Sequence, residues 1–404
     1  MNRNYKTILA NINAILLIVG YPLFTSIVFN SNFESEGTRA YSVVYRAFAL
    51  IIALLTIVAH GIRRPKSLDA GIISFWVLWF LYTCRVIYDL FIRTESYLVS
   101  DADKQFLIFL TFGGILIPSI AFFLSRKNID FEKIFKWLFF LLLFVVLKGV
   151  FSNSVSLNTG RASLNVAQSS LEFGTFGSIL SMQSFTIITN NMKFKKVAWG
   201  AFLLGLYAVG FAASRGPFVS LLIVLFCYLL TRGNLKTIIM ILIFVMLGFF
   251  YENVIIDLLS TEFPTLMGRM DLTVHEFDTG GRDKIFVQAI EQFVNNPLFG
   301  DWFLLDPTDT TSSAHNAIIG AFSCMGLLGG ISMITLYITL LIKSFKLLKY
   351  NSYLSFYASL CLFLIFYSIT SGGFLMTKLN FNFAFLAILI ISKKFLLNKY
   401  EYKK

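Results

Sequence analysis

Long apolar runs, broken by short polar segments, make up most of this chain. A helix needs about 20 predominantly apolar residues to cross the hydrocarbon core of a bilayer. The runs therefore predict about twelve membrane-spanning helices, at about 8–29, 41–61, 70–92, 106–124, 133–151, 167–190, 197–213, 216–231, 236–256, 318–343, 353–370 and 374–396. One polar break differs from the rest. Residues 257–313 form a long loop between the ninth and tenth spans, and within it the apolar spacing becomes that of an amphipathic helix. Ile285, Phe286, Ala289, Ile290 and Phe293 share one stripe, with Asp283, Lys284, Gln288, Glu291 and Gln292 elsewhere. This helix stops near Asn296-Pro297 and is too short and polar to span. It is expected to lie over the bundle, with its apolar face on the helices or the interface. The pattern predicts an all-α polytopic protein, residues 1–404 forming a single membrane domain that includes the 257–313 loop.

Charge gives this pattern a direction. Lys and Arg crowd alternate loops: Arg3 and Lys6; Arg63, Arg64 and Lys66; Arg126, Lys127, Lys133 and Lys136; Lys193, Lys195 and Lys196; Arg232 and Lys236; Lys343, Lys346 and Lys349; then Lys393, Lys394, Lys399, Lys403 and Lys404. The intervening loops are sparse in basic residues, with Arg39, Arg93, Lys104, Arg161, Arg215, Lys378 and three in the long loop. The positive-inside rule then puts both termini in the cytoplasm and the 257–313 loop outside. Composition agrees, at 57% hydrophobic and 14% charged against about 25% charged in a soluble domain. The net charge of +12 follows from the cytoplasmic loops, so nucleic acid is excluded as a partner. The N-terminal run, with no small-residue cleavage site, reads as a first span. Cys84, Cys227, Cys324 and Cys361 fall in or beside apolar segments and read as buried hydrophobes.

Ionisable residues inside spans are costly and usually mark function. Arg46, Arg85, Asp89, Lys148 and Glu172 all fall towards the outer ends of their spans. Arg85 and Asp89 are four apart on one helical face and can pair. Snorkelling or structural ion pairs would account for the set. So would a polar vestibule open to the outer leaflet, lined by Arg85, Asp89, Glu172 and Lys378.

Four outer segments could carry chemistry. In Gly280-Gly281-Arg282, free N–H groups at a helix start together with an Arg make an anion site, although a capping turn with a solvated Arg has the same pattern. In Ser312-Ser313-Ala314-His315-Asn316, a serine is expected to cap a helix whose first turn holds His315. That position favours neutral imidazole, which suits a general base, while a polar residue marking the water boundary is the plain alternative. Ser214-Arg215-Gly216-Pro217 places an Arg in a tight outer turn, against the charge rule. Gly160-Arg161-Ala162-Ser163 adds a third outer guanidinium. Arg offers phosphate two oriented donors and keeps its charge, so Arg161, Arg215 and Arg282 suit a lipid-anchored diphosphate. The three histidines make no metal motif, and no carboxylate or histidine cluster has ligand spacing.

Taken in order, Ser214-Arg215-Gly216, Gly281-Arg282, Ala289, Asn296-Pro297-Leu298-Phe299-Gly300, His315-Asn316 and Gly326-Leu327-Leu328-Gly329-Gly330 resemble the shared signature of the O-antigen polymerase and ligase family. Arg161 resembles a basic residue that the polymerases often place before the sixth span. Two departures stand out: Ser163-Leu164-Asn165-Val166 replaces an Asn-Pro-Asn-type stretch, and Ser313-Ala314-His315 lacks the His-x-His form of many ligases. The resemblance implies a glycosyltransferase in the bacterial cytoplasmic (inner) membrane, with its active site facing the periplasm and no metal or other cofactor. It implies an undecaprenyl-diphosphate-linked glycan as substrate, the lipid bilayer as surroundings and a chain-length regulator protein as a partner. It further implies that Arg215 and Arg282 hold the donor diphosphate and stabilise it as leaving group, with Arg161, Gly281 and Asn316 also contacting substrate. His315 would orient or deprotonate the acceptor hydroxyl. The missing His-x-His form favours polymerase over ligase. A lipid-linked oligosaccharide flippase is the alternative from another class, but the chain shows no obvious repeated halves.

Overall fold

The computed structural model describes residues 3–28, 38–62, 68–93, 101–152, 169–233, 260–261, 263–265, 267, 282–303, 305, 314–370 and 378–401. Among these the secondary structure is helical throughout: α1 (Arg3–Ile15), α2 (Tyr21–Val28), α3 (Thr38–His60), α4 (Ala70–Ile87), α5 (Asp101–Ile108), α6 (Ile117–Leu124), α7 (Phe131–Ser152), α8 (Ser170–Thr189), α9 (Lys195–Phe211), α10 (Arg215–Arg232), α11 (Arg282–Asn295), α12 (Ala317–Leu348), α13 (Leu354–Thr370) and α14 (Leu379–Glu401). π-helical turns at Leu16–Gly20 and Phe109–Leu116 join α1 to α2 and α5 to α6, and a third, Tyr88–Ile92, extends α4.

Seven of the described stretches are long and apolar enough to cross a membrane: Asn4–Val28, Tyr41–His60, Ala70–Ile92, Lys104–Leu124, Phe131–Ser152, Arg215–Arg232 and Ala317–Leu348. Each coincides with a predicted span. α13 is apolar but shorter, and α8, α9 and α14 occupy three further predicted positions. The predicted span at 236–256 and most of the 257–313 loop lie outside the described residues.

The layering explains the differences in composition. α13 and the first half of α14 are enclosed on nearly all sides, including Phe356, Tyr357, Phe363, Phe381, Phe383 and Phe385. α8 is also central, yet it carries Gly, Ser, Thr and Gln. Small residues there let α9 approach closely: a methyl group on Gly177 would stand 2.8 Å from the Gly205 carbonyl oxygen. Some interior polar groups bond across the bundle: Trp79 Nε1 donates to Asn382 Oδ1 (2.9 Å) and Gln183 Nε2 to the Phe135 carbonyl (2.6 Å). Peripheral helices instead turn large apolar side chains outward, including Val58, Leu203 and Phe226. Such faces suit lipid rather than water.

The two ends of the bundle differ. At the basic end, Lys343 pairs with Asp69 (2.6 Å), and Arg232 donates to Asn190, the Tyr228 hydroxyl and the Leu348 carbonyl. The opposite end gathers the start of α3, the close of α4 and the starts of α8, α10, α12 and α14, which bear the candidate residues.

Candidate functional site

The long helix α12 opens at Gly326, whose backbone (φ 65°, ψ −158°) is one that only glycine adopts readily. In an unbroken helix the Leu327 N–H would bond the Ser323 carbonyl four residues back. Here both groups turn to the segment after α11. Leu327 N donates to the Pro297 carbonyl, and the Ser323 carbonyl accepts from Asp301 N, each at 2.8 Å. The turn is thus spliced into the break, and both of these backbone groups keep a partner. A methyl group on Gly326 would collide with the Leu298 carbonyl, and one on Gly300 (φ 70°) would meet the backbone of Cys324 and Met325. Asn296–Gly300 and Gly326 are therefore one structural unit, which fixes α11 against α12.

Side chains reinforce this junction. Gln292 donates to the Trp302 carbonyl (2.7 Å) and accepts from the Ser323 hydroxyl (2.9 Å). Arg85 donates to the carbonyls of Phe299 (2.7 Å) and Gly300 (3.0 Å) and to Asp89 (3.2 Å). Buried Asp89 also accepts from Phe303 N (2.9 Å) and lies 3.8 Å from Arg93. Arg93 bonds Asp301 (2.6 Å) and stacks over the Trp302 ring. The expected Arg85–Asp89 pair is present, but both residues clamp a backbone turn. They do not share a vestibule with Glu172 and Lys378. The reason is the Asn296–Phe303 turn, which folds back onto the end of α4 and supplies carbonyls and an N–H at bonding distance.

The amphipathic helix is where the spacing placed it, and it ends at Asn295 beside Asn296-Pro297. Of the expected stripe, Ala289 is buried and Ile285, Phe286 and Phe293 are half-buried, with Phe293 against Phe322, so that face rests on the bundle except at Ile290. Gln292, which falls outside the stripe, is buried with it, and Val287, Ile290 and Val294 leave an outward apolar row, continued by Leu298 and Phe299 beyond the helix.

His315 lies two residues before α12, ahead of its N-cap, half-exposed, with a left-handed backbone (φ 49°). It is not in the first turn of the helix. The cap is not a serine either, because Asn316 Oδ1 accepts from the N–H groups of Ile318 (3.0 Å) and Ile319 (3.1 Å). Asn is among the best N-caps, and Asn316 Nδ2 also donates to the Ile369 carbonyl at the end of α13 (3.1 Å). Asn316 thus holds the segment bearing His315 to two helices. Ser312 and Ser313 lie outside the described residues.

Arg215 opens α10 after a tight turn in which Ala213 has positive φ and Ser214 is buried. The turn packs on α8, since Ser178 Oγ lies 3.4 Å from the Pro217 carbonyl. Arg282 is the first residue of α11. Its side chain, Gly281 and Arg161 lie outside what is described.

A separate cavity of about 270 Å³ joins Arg46, Glu172 and Lys378, with Tyr21, Thr175 and Asn380 among its walls. Ser169 caps α8 and sets Glu172 in its first turn, 3.6 Å from Lys378. The π turn Leu16–Gly20 widens α1 at this point, and the Leu16 carbonyl accepts the Tyr45 hydroxyl (2.9 Å). Glu172 and Lys378, both expected in a polar vestibule, line this cavity together with Arg46. Lys148 stays half-buried on α7 and does not line it. Sequence reasoning missed the part played by Arg93, whose spacing of four from Asp89 was the available signal. It had no signal for Asp301 or Gln292. Among the described residues no group of three or more His, Cys, Asp and Glu converges.

No protein-family model and no curated protein matches this chain.

Proposed function

We propose that this protein is a surface-polysaccharide polymerase of the O-antigen type, transferring a growing glycan from undecaprenyl diphosphate to the next lipid-linked repeat unit on the periplasmic face of the cytoplasmic membrane. This reading takes the chain to have twelve spans and a periplasmic 257–313 loop. The observation that carries it is the junction at Gly326. The segments that resemble the polymerase and ligase signature, Asn296–Gly300 and Gly326–Gly330, are joined by the bond from Leu327 N to the Pro297 carbonyl, with a second bond from Asp301 N to the Ser323 carbonyl just beside them. That contact supports reading the two segments of the signature together. The junction anchors the helix that begins at Arg282 and abuts the helix that follows His315.

In this reading Arg215 and Arg282, with Arg161 and Gly281, hold the donor diphosphate. An acceptor hydroxyl attacks the anomeric carbon of the donor glycan, a new glycosidic C–O bond forms, and the bond to the diphosphate breaks. The departing undecaprenyl diphosphate takes the bonding pair, and guanidinium groups stabilise that charge. His315 takes the hydroxyl proton. Asn316 acts by holding His315 in place, through its bonds to α12 and α13. Activity is expected to persist in EDTA, because guanidinium groups supply the charge a metal would otherwise provide.

Gene disruption tests the assignment against the two other readings. Loss of a polymerase leaves single repeat units on the lipid A-core. Loss of a ligase leaves bare core and stranded lipid-linked chains, which would overturn the polymerase reading. Loss of a flippase leaves lipid-linked units on the cytoplasmic leaflet and would overturn it as well.

A further inference from the structure

The cavity holding Arg46, Glu172 and Lys378 is unused by the chemistry above, and its charges are incompletely satisfied. Arg46 donates from Nε to Ser42 (3.2 Å), and its guanidinium lies by the Tyr21 ring and against Gly114. Among the described residues, neither Nη nitrogen has a hydrogen-bond acceptor. Lys378 Nζ stands 3.6 Å from Glu172, beyond ordinary hydrogen-bond length. Two cations thus face one carboxylate across a space many times the ~10–15 Å³ that admits a single water. A side chain that merely snorkels would put its charge in bulk water. Arg46 instead lies five residues inside the start of its span at Tyr41, about 8 Å along the helix from that point. The remaining walls include Leu17, Leu110, Phe176 and Phe381. Charge at that depth with apolar walls beside it matches a lipid headgroup better than a free ion.

We propose that this cavity is a second anion subsite, which takes a phosphate of a lipid headgroup on Arg46 and Lys378. Identifying that lipid as the acceptor unit rests on the polymerase reading, in which two lipid diphosphates must be held at once. The placement fits. α8 turns Glu172, Thr175 and Phe176 to the cavity, while Gly174 and Ser178 pack on the turn after Arg215. One helix end therefore separates the subsite from the start of α10.

The test is a titration of the purified full chain in detergent with farnesyl diphosphate, counting bound ligands by native mass spectrometry. The wild-type protein is expected to bind two. Arg46→Met keeps the stem packed against Gly114 but removes the donors, and should weaken one site about tenfold or more. Arg46→Lys should weaken it less. Glu172→Gln removes the competing carboxylate and should tighten that site, whereas a purely structural ion pair predicts no gain. Two ligands bound to Arg46→Met at wild-type affinity would overturn the proposal. Equal, Arg46-dependent binding of inorganic diphosphate would overturn the lipid assignment. If Arg215→Ala binds like wild type while Arg46→Met has lost a ligand, the subsite stands and the donor assignment above fails.

Discussion

Two polar clusters at the same end of the bundle are built from the same ingredients and do opposite work. Arg85, Asp89 and Arg93 form a closed set. The carboxylate of Asp89 is buried, accepts from Arg85 and a backbone N–H, and lies near Arg93, while Arg85 bonds two further carbonyls. Each member of that set bonds within the protein, and its product is a fixed turn between α11 and α12, although Arg85, Arg93 and Asp301 also line a cavity of about 820 Å³. Arg46, Glu172 and Lys378 form an open set, with one long ion pair and guanidinium nitrogens facing a cavity. An ionisable residue inside a membrane span is a functional hypothesis by default. The contrast shows what must be added to it, namely whether the protein itself supplies enough partners to saturate the charge.

The contrast can be broken most forcefully at Asp89. Asp89→Ala leaves Arg85 and Arg93 without their shared carboxylate and removes the acceptor that Phe303 N–H bonds. Removing one partner of a buried ion pair costs about 3–5 kcal/mol. A large drop in the thermal midpoint in detergent is expected, and an unchanged midpoint would mean that the closed cluster is not structural. Arg282→Lys and His315→Ala should divide the other way. Turnover should fall roughly a hundredfold or more, as for loss of a charge-assisted donor or a proton acceptor, while the midpoint stays close to wild type. Gly326→Ala should cost about 1–3 kcal/mol, because alanine is strained at that backbone conformation and its methyl group meets the Leu298 carbonyl. If it unfolds no more easily than wild type, the spliced junction is not rigid. The smallest effect on stability is expected at Arg46→Met, which should shift the unfolding midpoint little while weakening ligand binding.

The helices were legible because the bilayer demands long apolar runs, and α3, α7 and α10 follow those runs closely. α8 was legible only as an extension of the pattern. Its small and polar residues lower its hydropathy, and what makes them sensible is a close approach to α9 that no local pattern encodes. At the candidate site, local features could be read: the end of α11 at Asn295, the i,i+4 pair of Arg85 and Asp89, and Arg215 at a helix start. The cap of α12 was misread because three capping residues, Ser312, Ser313 and Asn316, stand within five positions. Tertiary bonding from Asn316 to the Ile369 carbonyl decides among them in a way that spacing cannot. The inward stripe of α11 was legible except at Ile290, which is exposed, and the burial of Gln292 was not, because it comes from bonding on both sides to groups distant from the helix pattern. The cavity around Arg46 joins residues more than 300 positions apart, so only the folded chain could assemble it.

The central claim is that this protein alone lengthens a glycan carried on a lipid diphosphate. The most direct measurement reconstitutes the purified chain in liposomes with the undecaprenyl-diphosphate-linked repeat unit of its own host as the only substrate, then sizes the lipid-linked products. A ladder of multiple units is predicted, made at a rate roughly a hundredfold lower by Arg282→Lys. Wild-type protein that is folded and inserted, yet leaves only single units, would contradict the account.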